Sequence, residues 1–349
     1  MLLGLPESLP ALVAKRFTAA KDAGHLVFSE TQLTTIHASG IPYQLRYCPA
    51  LAKKQSQAPR PDDQQRKGPR PDPFQDPPSD LLLAEIPKNK PTHFLVLNKF
   101  PVIPNHFIVA TKPFKEQTDV LEKEDLAVTY ACLKAWSEDQ SANPQRRLFA
   151  FFNSGEHSGA SQPHRHLQFL PVEAMRASES DPWTPLIDRF STEEAAADSS
   201  GYQQLPQLPF THFALPIPQN ASPEALYQIY LCLYKAAVSS VHGAEEGDAW
   251  DRIPTEGPAA ISYNLAMTLS TMMICPRRSE HARLTIDPAG AQDVLDAGVL
   301  SLNGTILAGT LMVKAEAEWN ELRSKQGNLN AVLATIAFPR QQDVAAPSL

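Results

Sequence analysis

Phe151-Phe-Asn-Ser-Gly-Glu-His-Ser-Gly-Ala-Ser-Gln-Pro-His-Arg-His-Leu-Gln-Phe-Leu-Pro171 is the most informative stretch of this 349-residue sequence. Beyond Pro163 its residues alternate in character, as they do in a strand whose two faces meet different surroundings. The alternation predicts a β-strand that carries His164, His166 and Gln168 on one face. The residues between them pack on the other face, so two imidazoles and an amide are expected to lie side by side.

The segment just before this strand is rich in small residues. Glycine permits backbone conformations that other residues rarely adopt, and successive free N–H groups in such a loop form a concave anion site. We therefore predict a phosphate-binding loop directly ahead of the two histidines. Its small residues are Gly155, Ser158, Gly159, Ala160 and Ser161.

A neutral imidazole can attack phosphorus through one ring nitrogen if the other nitrogen keeps its proton and donates it to an acceptor. His166 is the better candidate nucleophile because it lies farther from the loop end, between two polar neighbours on the same face. The ring or backbone carbonyl of His164 is placed to orient it. The loop and Gln168 can then stabilise charge on the transferred phosphoryl group without a metal.

Two other interpretations fit a bare His-x-His pattern. The histidines can be satisfied core or surface residues, which for an arbitrary pair is the more common case. His-x-His is also a metal-ligand spacing, as in cupin-like barrels, but such a site needs a carboxylate and a further histidine. Gln168 is a poor metal ligand, and the loop, the histidine pair and the glutamine occur together by chance far more rarely than any one of them.

Composition excludes several classes of protein. A hydrophobic share of 43% and a charged share of 20% are typical of a globular chain, and the length favours two domains or two halves. The formal net charge of -7 argues against binding long nucleic acid through its phosphates. The four cysteines are far apart and predict neither a disulfide framework nor a metal knuckle, which fits a reducing compartment.

The amino terminus has neither the basic leader nor the apolar length of a signal peptide, and no apolar run is long enough to span a bilayer. We therefore expect a cytoplasmic protein without a membrane partner. The 32 prolines are clustered, and the segment 53–79 is almost free of apolar residues. This composition predicts a mobile loop outside the core. Residues 174–207 are predicted to form a second polar insert.

The remaining segments alternate between strand and helix patterns. Short β-rich runs at 92–98 and 106–111 predict a hairpin. Helical spacing follows at 122–137, and then an apolar strand at 148–152. The first half is thus predicted to be a helix packed on an antiparallel sheet, over residues 1–173.

The second half, residues 208–349, shows a similar alternation of strand and helix patterns. We predict a strand at 210–215, a helix at 223–241 capped by Ser222, and paired strands at 259–269 and 271–275. Helical runs are expected at 311–323 and 329–337. The resulting fold class is α+β, with antiparallel sheets, flanking helices and two similar halves.

The active-site signature of the fungal diadenosine tetraphosphate phosphorylases resembles three runs of this chain, Asn153-Ser-Gly155, Ser158-Gly-Ala-Ser-Gln162 and His164-Arg-His-Leu-Gln168. These enzymes form part of the transferase branch of the histidine triad superfamily, with galactose-1-phosphate uridylyltransferase. The resemblance extends over most of the chain, except for the Pro-rich stretch after Lys54 and residues 174–207. Its further runs are Ile41-Pro-Tyr-Gln-Leu-Arg-Tyr47, Asn98-Lys-Phe-Pro-Val-Ile-Pro-Asn-His-Phe107, Ser262-Tyr-Asn-Leu265, Asn303-Gly304 and Gly309-Thr-Leu-Met-Val-Lys314.

The resemblance implies a role for each matching residue. His166 would become adenylylated, Asn98 and Lys99 would contact nucleotide, and Lys53 or Lys54 would add positive charge. The substrate phosphates would be lined by Asn153, Gly159, Ala160, Ser161, Gln162 and Gln168. The far end of the substrate would be reached by Asn303, Gly304, Thr305, Thr310 and Lys314.

The family's fold would be two histidine-triad-like halves in one pseudosymmetric monomer, with one catalytic centre because only the first half carries His-x-His. The implied reaction is ping-pong: His166 attacks a dinucleoside tetraphosphate, ATP leaves, and inorganic phosphate takes the adenylyl group to give ADP. No cofactor is required for the covalent step, although Mg²⁺ can accompany the polyphosphate, and ADP sulfurylase chemistry is a side activity. A uridylyltransferase and a non-catalytic nucleotide-binding regulator remain as alternatives.

Gln168 occupies the place where hydrolases of the superfamily carry a third histidine. An imidazole can protonate a poor leaving group, whereas an amide has no proton to exchange. The leaving group must therefore already be stable, as a nucleoside polyphosphate is.

Overall fold

The computed structural model describes residues 3–52, 72–138, 146–178, 181–191, 196–197, 201–243, 248–286 and 295–340. Its helices are α1 (Leu9–Asp22), α2 (Lys123–Glu138), α3 (Val172–Met175), α4 (Pro223–His242), α5 (Asp248–Asp251), α6 (Glu316–Ser324) and α7 (Asn328–Ile336), with 3-10 helices at Leu186–Ser191 and Gly304–Ala308. Its strands are β1 (Gln32–Ala38), β2 (Ile41–Tyr47), β3 (Leu82–Ile86), β4 (His93–Leu97), β5 (Phe107–Thr111), β6 (Leu148–Ser154), β7 (His166–Pro171), β8 (Ala196–Ala197), β9 (Gln203–Gln204), β10 (Phe213–Pro216), β11 (Tyr263–Met267), β12 (Thr271–Pro276), β13 (His281–Ile286), β14 (Leu295–Ser301) and β15 (Thr310–Val313).

One ten-stranded sheet runs through both halves, in the order β3-β4-β5-β7-β6-β11-β12-β10-β9-β8. The halves meet at β6 and β11, which pair antiparallel with Asn153 opposite Asn264. Each half supplies the same sequence of elements, β5-α2-β6-β7 in the first and β10-α4-β11-β12 in the second. The predicted α+β class with two similar antiparallel halves is confirmed.

The two faces of the central sheet are covered by different layers. Side chains of Leu148, Ala150 and Phe152 join the core beneath α1, α2 and α4. Phe149 and Phe151 point to the opposite face and join a core shared with the C-terminal segments. Because both faces are covered, β6 is buried along its whole length and its sequence reads as an apolar run.

Two smaller sheets complete the second layer. β15 pairs in parallel with β2, so the C-terminal segment adds a strand to the N-terminal hairpin β1-β2. β13 and β14 form a separate two-stranded sheet. The β1-β2 hairpin and the C-terminal strand β15 are thereby joined on the face of the central sheet opposite α2 and α4.

Local sequence patterns predicted several strands and helices correctly. The hairpin of β4 and β5 pairs Leu97 with Phe107 across the predicted turn. Helix α4 begins where expected, because the Ser222 hydroxyl accepts a hydrogen bond from the Ala225 N–H at 3.1 Å, and it ends at Gly243 in the left-handed conformation.

The helix predicted at 311–323 is wrong in its first part. Thr310–Val313 is a strand, and the helix covers only Glu316–Ser324. Leu311 and Val313 are buried while Met312 is half-buried, which is a strand pattern too short to recognise among strong helix formers. Pairing with β2 overrides the local helix propensity here.

Two stretches predicted to be loops contribute buried side chains. Residues 53–71, including Lys53 and Lys54, lie outside the described residues, but Phe74 is buried against Phe94 and Ile108. Phe74 of the segment 72–79 therefore belongs to the core, contrary to the prediction for 53–79, while most of its neighbours are exposed. Within 174–207, Trp183 and Phe190 are buried in the second core cluster, so this stretch is not simply a polar insert. Among the described helices, none is long and apolar enough to cross a membrane.

Candidate active site

His166 begins β7 and has the geometry of an imidazole nucleophile. Its Nδ1 lies 2.9 Å from the backbone carbonyl oxygen of His164, which can only accept, so Nδ1 carries the proton and Nε2 bears the lone pair. The side chain is buried, and burial lowers its pKa to about 4. The ring is therefore neutral near pH 7, and the predicted orienting role of the His164 carbonyl agrees with this geometry.

The ring of His164 is itself held from two sides. Its Nδ1 lies 2.6 Å from a carboxylate oxygen of Asp72, and its Nε2 lies 3.0 Å from the Thr111 hydroxyl. Both ring nitrogens are thus occupied, while the carbonyl remains available to His166. This arrangement makes His164 a support for the ring of His166.

Phe74 lies against both histidines and was missed by the sequence reasoning. Its ring centroid is 5.1 Å from that of His166 and 5.8 Å from that of His164. Phe74 is the only aromatic residue between positions 53 and 79, and this was the available signal. Phe74 thus covers this face of β7 and contributes to the burial that lowers the pKa of His166, whereas the negative charge of Asp72 acts in the opposite direction.

Gln117 fixes the backbone of the nucleophile and was also missed. Its side-chain oxygen accepts a hydrogen bond from the His166 N–H at 2.7 Å, and its amide nitrogen donates to the Asn153 carbonyl at 2.7 Å. The same nitrogen lies 3.2 Å from the His166 carbonyl. One amide therefore holds the ends of β6 and β7 at a fixed separation.

Gln168 contacts His106, a histidine that the sequence reasoning did not single out. Burial lowers the pKa of His106 to about 4, and the neighbouring Gln168 side chain opposes this shift. Asn98 Nδ2 lies 3.0 Å from His106 Nδ1, while Asn98 Oδ1 accepts from the Phe100 N–H at 2.9 Å. Asn98 thus supports His106 beside the site, whereas Lys99 is exposed on the turn.

The predicted phosphate loop follows β6. Gly155 and Gly159 have positive φ angles of 86° and 79°, which glycine adopts at least cost. The Ser158 hydroxyl donates to the Gly155 carbonyl at 2.6 Å and closes the turn. Within the described part of the chain, no hydrogen bond takes up the N–H groups of Gly159, Ala160, Ser161 and Gln162.

The second half reaches this loop through Asn303 and Gly304. The Gly304 N–H donates to the side-chain oxygen of Asn153 at 2.9 Å. A Cβ atom on Gly159 would lie 2.7 Å from the Asn303 Cβ, so the two segments are in close contact. The structure brings these predicted residues together from opposite halves of the chain.

The other C-terminal candidates divide into two groups. Asn303, Thr305 and Lys314 line a cavity of about 270 Å³, which is also lined by Leu51, close to Lys53 and Lys54 in sequence. The Thr310 hydroxyl is fully buried and donates to the Gln44 side chain at 3.2 Å. Its observed contact is therefore with β2 and not with this cavity.

A model of the Ap4A phosphorylase N-terminal domain matches residues 2–189, which is more than half of the chain. The chain belongs to the Ap4A phosphorylase family. It is accordingly a nucleotidyltransferase. A model of the ATP adenylyltransferase C-terminal domain matches residues 206–339. The two matches together cover both halves of the chain.

Two Saccharomyces cerevisiae proteins are similar to this family member over nearly their whole length. The protein named APA1 is 25% identical over 97% of this chain and 96% of its own. Diadenosine 5',5'''-P1,P4-tetraphosphate phosphorylase 2 is 27% identical over 96% of both. The crystal structure of yeast Ap4A phosphorylase Apa2 in complex with Ap4A has a TM-score of 0.73 at 23% identity, covering 96% of this chain and 99% of that one, so the two share a fold.

The pH dependence of the covalent step should report the lowered pKa of His166. With a pKa of about 4, roughly 90% of the rings are neutral at pH 5, against a few per cent for an unperturbed histidine. We expect the single-turnover rate at which nucleotide labels His166 to be constant between pH 7.5 and about 5, and to decrease at lower pH. An inflection near pH 6.5, in protein that circular dichroism shows to be folded, would contradict this prediction.

Proposed function

We propose that this phosphorylase cleaves diadenosine tetraphosphate with inorganic phosphate to ADP and ATP through an adenylyl group on His166. In the first step the lone pair on Nε2 attacks the α-phosphorus, the bond from phosphorus to the β-phosphate oxygen breaks, and ATP leaves. In the second step a phosphate oxygen attacks the same phosphorus, the P–N bond breaks, and ADP leaves. The observation that carries the proposal is the hydrogen bond from His166 Nδ1 to the His164 carbonyl.

That hydrogen bond supports both steps. While Nε2 is bonded to phosphorus the ring is cationic, and the proton on Nδ1 stays where the carbonyl oxygen of His164 can stabilise it. When the P–N bond breaks, the ring returns to the neutral form that burial favours. The same nitrogen atom thus serves as nucleophile and as leaving group without a change of tautomer.

Donors for the transferred phosphoryl group come from the chain itself. The backbone N–H groups of residues 159–162 and the amide of Gln168 supply fixed dipoles around the face of His166. We propose that the covalent step requires no metal or other cofactor, and that Mg²⁺ takes part only as a counter-ion of the polyphosphate. The first step expels the ATP anion and the second expels the neutral His166 imidazole, so neither step needs a proton from the amide of Gln168.

The deciding experiment uses diadenosine tetraphosphate labelled at the α-phosphates. Without phosphate, the protein should acquire an acid-labile, alkali-stable label and release ATP; with phosphate, it should turn over to equal amounts of ADP and ATP. Exhaustive chelation should leave the labelling intact. Labelling by a UDP-sugar but not by the dinucleotide would favour a uridylyltransferase, and binding without label would favour a non-catalytic regulator.

A further inference from the structure

Asn153 presents an unpaired donor beside the nucleophile. The register of β6 and β7 sets Phe151 opposite Gln168, so continuing it sets Asn153 opposite His166. Asn153 lies on the same face of β6 as Phe151, and its side chain is 1% exposed. Its Nδ2 has no hydrogen-bond partner among the described residues. A buried amide nitrogen without a partner is uncommon unless a ligand supplies one.

The orientation of the Asn153 amide is imposed by two donors. Its Oδ1 accepts from Asn264 Nδ2 at 2.9 Å and from the Gly304 N–H at 2.9 Å. A flipped amide would place an NH2 group against both of these donors. The oxygen therefore faces the second half of the chain, and Nδ2 is left facing the site.

Asn264 is oriented in turn by Arg277. The guanidinium donates through Nη1 to Asn264 Oδ1, and a guanidinium has no acceptor, so Asn264 must turn its oxygen towards it. The Asn264 Nδ2 is then free to donate to Asn153 and also to the Ser158 carbonyl at 2.9 Å. Two successive amides are thus fixed by one cation.

Arg277 is itself anchored by backbone. It is 2% exposed, and its remaining N–H groups donate to the carbonyls of Leu302 and Ser279 at 2.9 Å and of Ile336 at 3.2 Å. Leu302 precedes the Asn303-Gly304 turn that contacts Asn153. Arg277 therefore orients Asn264 and also holds the backbone turn of Gly304. Both of these donate to the same atom, Oδ1 of Asn153.

We propose that Arg277 and Asn264 are positioning residues, which aim Nδ2 of Asn153 at a non-bridging oxygen of the phosphorus that His166 attacks. This inference rests on the proposed function. Asn153 touches the substrate, whereas Arg277 and Asn264 act through it. The second half of the chain carries no His-x-His motif. It contributes to catalysis by fixing which end of the Asn153 amide, oxygen or nitrogen, faces the substrate.

Asn264→Asp tests the proposal because it keeps the shape of the side chain and removes its donor. A carboxylate can still accept from Arg277, and pairing this buried cation offsets the lost hydrogen bonds to Asn153 and to the Ser158 carbonyl, so the melting temperature should change little. The carboxylate repels Oδ1 of Asn153 and leaves only the Gly304 N–H to hold it, so the amide loses its single fixed orientation and Nδ2 is no longer aimed at the phosphate oxygens. We expect the single-turnover rate of adenylylation to fall about 100-fold at saturating dinucleotide, with KM changed much less.

Asn220→Asp is the control for the added charge, because Asn220 is exposed and accepts from Lys134 far from the site; it should label at the wild-type rate. If Asn264→Asp folds and labels at the wild-type rate, the positioning role is wrong. If it does not fold, Asn264→Ala decides, with a fall of about 10-fold expected and a wild-type rate refuting the proposal. Failure of the wild-type protein to form any adduct would instead refute the proposed function.

Discussion

His166→Ala should abolish adenylyl labelling and lower turnover by at least about 10⁴-fold, because the neighbouring rings of His164 and His106 are already engaged in hydrogen bonds. The fold should survive. The backbone hydrogen bonds of His166 to Gln117 do not involve the ring, and the lost side-chain bond is a single one to a carbonyl. Nucleotide affinity should remain within a few-fold, since the phosphate donors are separate from the nucleophile.

The matched variant is His164→Ala. It removes the contacts to Asp72 and Thr111 but leaves the backbone carbonyl that holds His166, so activity should fall much less than in His166→Ala. The measurements are labelling, steady-state turnover and equilibrium nucleotide binding on the same preparations. An acid-labile, alkali-stable adduct on His166→Ala protein would mean that the nucleophile has been misassigned.

Gly159→Ala should lower kcat/KM by about 100-fold, the loss typical of a displacement near 1 Å at a reacting centre. The added Cβ would lie 2.7 Å from the Asn303 Cβ and 3.0 Å from the Leu302 carbonyl oxygen, so loop and turn must move apart. That movement displaces the loop N–H groups and disturbs the turn that positions Asn153. Both the adenylylation step and the phosphorolysis step should slow.

Gly40→Ala provides the control, because Gly40 has a similar φ of 77° but nothing within 4 Å of its added Cβ. It carries the same backbone strain in the β1-β2 turn without the collision. The two variants should therefore lose similar stability to urea from strain, while only Gly159→Ala loses activity. Equal activity in both variants would show that the loop tolerates the displacement and that the exact position of its N–H groups does not affect the reaction.

The site could be predicted from sequence where its geometry is local. His164, His166 and Gln168 share a face because strand side chains alternate, and the loop before them is contiguous with the strand. Asp72 and Gln117 could not be placed, because they reach the histidines across 92 and 49 residues of sequence. Such contacts depend on how distant segments pack, which no local periodicity encodes.

The fold was predictable to a similar extent. Elements with a full amphipathic period or a capping residue, such as α4, were recognised, while the four-residue strand β15 was taken for helix. The polar composition of 72–79 also led to a wrong prediction of a loop outside the core, because Phe74 in this segment packs beside His166. Short segments owe their structure to the partner they meet, and that partner is distant in sequence.

The antiparallel pair of β6 and β11 makes the two halves a single folding unit. Cutting the chain between them would leave each piece with a bare apolar edge strand, whose unpaired N–H and C=O groups invite association with other chains. A fragment comprising the first half alone would thus have an unpaired β6 next to the strand of His166, and it would lack the Asn264 and Gly304 donors that orient the Asn153 amide. The single pairing of β6 with β11 therefore both covers the edge of the first half and brings Asn264 opposite Asn153.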